Sequence, residues 1–176
     1  SRAPRTVNAV LHAPGIGPAA IKAAGIDEHR VAPMFADRSF QQWFHGREPG
    51  GTGARGEVVL WPDTFSNNFH PHVAQAAVEV LEDAGYRVSV PRERLCCGLT
   101  WISTGQLDTA KRVLQRTIAV LRPQLRSGAL IVGLEPSCTA VFRADAKDLF
   151  PDDEDVEKLR TQTVTLAELL RDHAPD

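Results

Sequence analysis

The sequence predicts an α/β protein: a three-layer-like parallel sheet with crossover helices, preceded by a helical N-terminal arm. Three observations predict it. Residues 129–134 are a near-continuous apolar run, which suits a strand covered on both faces of a parallel sheet. A short apolar strand at 57–61 and a second strand at 86–90 alternate with stretches whose apolar residues recur every three or four positions, the helical period. Strands alternating with helices imply right-handed crossovers and a layered fold.

Taken in order, residues 1–56 form a helical arm and connector. Short helical pieces are expected at 7–12, 18–24 and 38–45, the last carrying Phe40, Trp43 and Phe44 on adjoining helical positions. That aromatic cluster is expected to pack on the main domain. Residues 46–56 hold five glycines and a proline, the composition of a flexible connector. The α/β domain then spans 57–176. Strand 57–61 leads through a polar loop to a helix at 71–84, with Val73, Ala77, Val80, Leu81 and Ala84 at helical spacing and Gly85 as its stop. After strand 86–90, a helix is expected over 104–122, its apolar stripe at 107, 110, 114, 118, 121 and 125, with Pro123 ending or kinking it. Pro136 suits the first position of a helix through 150, and a final helix is expected over 154–173.

Composition narrows the function. The net charge is -2, with 24% charged residues of both signs interspersed, so no basic stripe marks a nucleic-acid binder. No apolar run approaches the roughly 18 residues of a membrane span, and the start, Ser1 to Arg5, lacks the apolar region of a signal peptide. An odd count of three cysteines argues against a secreted disulfide framework and for a reducing compartment, with the cytoplasm as the default.

Those cysteines carry the chemistry. Cys96 and Cys97 are adjacent and precede Gly98; Cys138 lies in Glu135-Pro136-Ser137-Cys138. Neighbouring residues strain a disulfide between them, whereas thiols at a helix N-terminus have lowered pKa and ligate metal as thiolates. Asp63 follows the first strand, Cys96 and Cys97 the second, and Glu135 and Cys138 the third, so all five converge on the carboxyl edge where ligands bind in such sheets. His70 and His72 are expected as a solvated helix cap. Ser66, Asn67 and Asn68 have no base partner placed by the sequence, so no hydrolase triad is expected.

The spacing Cys96-Cys97-Gly98, 36 residues, then Glu135-x-x-Cys138 resembles the cysteine-rich CCG domain. That domain occurs in the B chain of heterodisulfide reductase, in the iron-sulfur chain of glycolate oxidase and in the C chain of anaerobic glycerol-3-phosphate dehydrogenase. In the family a cysteine precedes the CCG and a CxxC follows it; here Asp63 or Thr64 stands at the first place and Glu135 at the start of the CxxC, leaving three of five thiols. The wording of 58–88 and of IVGLEPSCTAVFR at 131–143 is similar to the C-terminal region of FAD-linked oxidases of D-2-hydroxy acids such as D-lactate and D-2-hydroxyglutarate.

The resemblance implies a Rossmann-like CCG half, the first of two, in a fragment of a larger oxidoreductase whose FAD site lies outside this chain. Its implied partners are the second CCG half and the flavin and ferredoxin-like domains of the parent, through which it could also sit peripheral to a membrane. The implied role is electron transfer or support of an iron-sulfur (4Fe-4S type) cluster, without catalysis of its own. The incomplete thiol set leaves other readings open. A zinc site would use the three thiolates with Asp63, Glu135 or a histidine; a cluster-less module would only buttress its neighbour; a thiol-exchange enzyme would use Cys96 and Cys97. Little or no cluster is expected on the isolated domain. Cut from its second half, the domain is also expected to expose Val141, Phe142, Leu166, Leu169 and Leu170 and to self-associate through them, or to cover them with the arm.

Overall fold

A computed structural model describes residues 3–27 and 29–173. Ser1 and Arg2, part of the start read as lacking a leader, lie outside the described residues. The elements are α1 (Pro4–Leu11), α2 (Ile16–Ala23), α3 (Phe40–Phe44), β1 (Glu57–Leu60), α4 (Thr64–Asn68), α5 (Pro71–Asp83), β2 (Arg87–Ser89), α6 (Leu99–Ser103) and α7 (Leu107–Ser127). Then follow β3 (Leu130–Gly133), α8 (Pro136–Ala140), a π-helical turn (Val141–Asp145), α9 (Ala146–Leu149), α10 (Glu154–Gln162), β4 (Thr163–Thr165) and α11 (Leu166–His173).

The four strands form one parallel sheet in the order β2-β1-β3-β4. Val58 and Val59 of β1 stand opposite Val88 and Ser89 on one side and Leu130 and Ile131 on the other. The chain thus winds outward in both directions from β1, and the strand order reverses between β1 and β3, the place where such sheets open a crevice.

Alternation along β1 sorts its side chains between two cores. Val58 and Leu60 pack with Ala74, Ala77, Val78 and Leu81 of α5 and with Phe40. Val59 and Trp61 pack on the opposite face with Leu114, Ile118, Leu121 and Leu125 of α7 and with Phe142. Helices therefore cover both faces, the three layers expected.

The arm is part of this structure. Phe40 is fully buried, and Trp43 and Phe44 pack against the α5 core, as expected of the aromatic cluster. The 46–56 connector is laid on the domain rather than hanging free of it. Arg47 pairs with Glu82 of α5, and a Cβ on Gly51 would stand 2.2 Å from the Tyr86 carbonyl oxygen. That approach, at φ 78, is open only to glycine.

Several helical expectations shift. The buried face of α5 is Ala74, Ala77, Val78 and Leu81; Ala77 and Leu81 are where the spacing puts them, while Val73 and Val80 are exposed and Ala74 and Val78 pack in their stead. Leu107 is likewise exposed at the start of α7. Pro123 does not end α7, which continues to Ser127 and stops at Gly128, φ 84. Pro123 sits on the solvent side of the last turns, where its ring and missing N–H disturb no buried contact.

The helix expected over 154–173 is two helices with a strand between them. Thr163, Val164 and Thr165 pair in parallel with Ile131, Val132 and Gly133, because β-branched residues fit a pleated surface better than a helix. The surface expected to drive self-association is also largely internal: Val141, Phe142 and Leu169 are buried in the chain's own core, and only Leu166 and Leu170 are partly exposed. No helix among the described residues is long and apolar enough to cross a membrane.

Candidate functional site

Each strand that reaches the carboxyl edge hands its chain to a helix start, and the five residues named from the sequence all lie at these handovers. After β1, Asp63 is the N-cap of α4. It accepts from the amides of Phe65 at 2.8 Å and Ser66 at 3.0 Å and from the Ser66 hydroxyl, and it is 4% exposed. Among the described residues it shares no hydrogen bond with a thiol.

After β2 the chain turns through Cys96 and Cys97 into Gly98, whose left-handed φ of 90 opens α6. The Cys96 carbonyl accepts from the buried Thr117 hydroxyl of α7 at 2.9 Å, which pins the vicinal pair to the helix beneath it. The Gly98 amide donates to Cys96 Sγ at 3.4 Å. Cys97 is 5% exposed and sits among Trp61, Leu114, Ile118, Val141 and Phe142.

After β3, Glu135 caps α8, accepting from the Cys138 amide at 2.7 Å and the Ser137 hydroxyl at 2.9 Å. The helix start is pressed against the strand end: a Cβ on Gly133 would stand 2.3 Å from Thr139 Oγ1. This brings Cys138 Sγ to 3.1 Å from Cys97 Sγ. Cys96 precedes Cys97 on the same loop, and all three cysteines are reduced and free, at the edge where the sequence places them.

Their protonation differs from the helix-dipole expectation. The hydrogen bond with Cys138 is the main influence raising the Cys97 thiol; the Cys96 bond acts against it and burial adds to it, leaving Cys97 pushed up to about 11. Cys96 is raised further, by its bond to Cys97 and then by burial. The Cys138 amide at the start of α8 is taken by Glu135. Burial pushes the Glu135 carboxyl up, but bonds from the Cys138 and Ser137 amides, the Ser137 hydroxyl and the Cys138 thiol together hold it below the usual range.

This donor set does not fit an iron-sulfur cluster. The resemblance implies a site of five thiols, and only three stand here. The two carboxylates that the resemblance sets at cysteine positions are committed to helix starts. Among the described residues, no group of three or more histidine, cysteine, aspartate or glutamate side chains is placed to hold a metal ion. His70 and His72 are exposed, and His70 occupies the N-cap of α5 without a side-chain capping bond, so neither adds a ligand.

Periodicity missed three residues that shape the site. Trp61 is 1% exposed in the same core as Cys97, with its indole N–H unpaired among the described residues. Gln41 of α3 donates to the carbonyls of Pro91 at 2.7 Å and Glu93 at 3.0 Å, fixing the loop that carries the cysteines. Asn67 of α4 bonds both the backbone and the side chain of Gln41. Such an amide pair leaves no spacing signal, because its partners lie 26 residues apart.

Residues 63–143 match the cysteine-rich domain family, CCG. The chain is 33% identical over 97 residues to lactate utilization protein A of Bacillus velezensis, covering 55% of this chain and 39% of that protein. It is 29% identical to lactate utilization protein A of Bacillus subtilis, over 65% of this chain and 48% of the relative. It is 24% identical to the C chain of anaerobic glycerol-3-phosphate dehydrogenase of Escherichia coli K12, over 67% of this chain and 30% of the relative. The chain therefore spans less than half the length of these curated relatives. No solved structure matches.

Proposed function

From a chain whose residues 63–143 form a cysteine-rich CCG domain, we infer a cluster-supporting half within the electron-transfer part of a larger oxidoreductase. The observation that carries this reading is that three thiols converge on the carboxyl edge while both remaining family positions are carboxylates serving as helix caps. Such a half keeps the fold and the edge geometry of an iron-sulfur domain, and its thiols and helix-capping carboxylates shape a surface for a neighbouring cluster-bearing half. Iron-sulfur centres in that neighbour would supply one-electron transfer.

The wording of 58–88 and 131–143 supports a parent of the FAD-linked type acting on a D-2-hydroxy acid. Relatives named for lactate utilization and for a glycerol-3-phosphate dehydrogenase support oxidation at a hydroxyl-bearing carbon. In this reading the flavin, the ferredoxin-like segment and the second CCG half belong to the parent, and the assembly works in the cytoplasm or at its membrane face.

Metal analysis tests it. Protein carrying this chain, purified without oxygen, is compared with a variant in which Cys96, Cys97 and Cys138 are all serine. The reading expects the same iron, sulfide and zinc content in both. Iron and sulfide that fall with the cysteines would show a cluster held here; zinc lost in the same way would show a structural metal site. Either result overturns the reading.

A further inference from the structure

Cys97 and Cys138 are 41 residues apart in sequence, on the loop before α6 and in the first turn of α8, yet their sulfurs stand 3.1 Å apart and both are free. They belong to different handovers on the same sheet edge, so the strain that opposes a bridge between adjacent Cys96 and Cys97 does not arise for them. An S–S bond of about 2.05 Å needs roughly 1 Å of further approach. On the reading that these thiols hold no cluster, the pair has no other assigned use.

We propose that Cys97 and Cys138 are a redox-active dithiol that closes reversibly to an intrachain disulfide by exchange with a small-molecule disulfide. Access sets the order of events. Cys138 is half-buried and Cys97 is 5% exposed, so an incoming disulfide meets Cys138. The Cys138 sulfur, giving up its proton, attacks one sulfur of the reagent and expels the other as a thiolate, which takes a proton. The Cys97 sulfur, also giving up its proton, then attacks Cys138 Sγ in the mixed disulfide and expels the second half of the reagent as a thiol. The chain loses two electrons and two protons, and the reagent disulfide gains both. The Thr117 bond to the Cys96 carbonyl and the Glu135 bond to the Cys138 amide hold the two backbones in place throughout.

The closed form ties the β2–α6 loop to the start of α8 across a long loop. The constraint on the unfolded chain should raise the unfolding midpoint by on the order of 10 °C.

The test uses oxygen-free protein incubated with excess glutathione disulfide, then alkylated and mapped by mass spectrometry of tryptic peptides. Wild type and Cys96→Ser should each protect two thiols and yield a crosslink between peptides 95–111 and 127–143, reversed by dithiothreitol. Cys97→Ser and Cys138→Ser should yield no such crosslink and lose the rise in midpoint; Cys97→Ala serves as a second variant if serine disturbs the buried site. A vicinal Cys96–Cys97 bond, a glutathione adduct on Cys138 that Cys97 never resolves, or three fully alkylated thiols would each overturn the proposal. Iron content measured beforehand separates the two claims. Cysteine-dependent iron overturns the cluster-supporting reading itself, whereas metal-free protein that forms no crosslink overturns the dithiol alone.

Discussion

A carboxylate placed just before a helix answers to its own backbone first. Asp63 accepts two amides and a hydroxyl within three residues, and Glu135 accepts an amide and a hydroxyl. Removing such a cap costs about 0.5–2 kcal/mol, and at a buried position the freed amides add to the loss. Asp63→Ala should therefore lower the unfolding free energy by about 2 kcal/mol, and Asp63→Asn by distinctly less, as read by urea titration. Metal content should not follow either substitution. The sequence could not separate cap from ligand here, because both roles put an acidic residue in the same place, one position before a helix. The thiols were legible because their positions follow two strand ends, but the bond that raises Cys97 depends on a contact between residues 41 apart.

Among the elements, β1 and β3 were legible as apolar runs, β2 as a short strand after the Gly85 stop, and α7 as a stripe. β4 was not: Thr163-Val164-Thr165 lies between leucines whose spacing continues a helical pattern, and only its pairing with β3 makes it a strand. The π-helical turn was equally hidden, although it buries Val141 and Phe142 and lies where Arg143 donates to the Thr163 carbonyl at 3.0 Å. One extra residue per turn leaves no mark in composition. Pro123 offers the clearest test at this scale. A proline inside a helix costs about 3 kcal/mol, but exposure and nearness to the helix end reduce what is recovered. Pro123→Ala should raise stability by about 1–2 kcal/mol, with the urea m-value unchanged.

Across the molecule, ion pairs link the outer helices, and they make part of its stability dependent on acid pH. Glu168 is held near about 2, first by Arg143 and then by the Thr165 amide and hydroxyl. Glu157 is held near about 2 by Arg160 and Lys147. Both folded values lie below the ordinary 4.5, so their contribution is complete above that pH and is lost as pH falls towards 2. Thermal midpoints measured downward from neutral pH should hold to about pH 5 and then fall, and Glu168→Gln should flatten that fall. The order β2-β1-β3-β4 also has a consequence for synthesis. β1 is made before either of its neighbours, and the partner for its second edge arrives only with residues 130–133. A growing chain must carry the apolar stretch 58–61 with an open edge while α5, β2 and α7 emerge. The ribosome-bound chain is therefore most prone to aggregate in the interval before β3 leaves the exit tunnel.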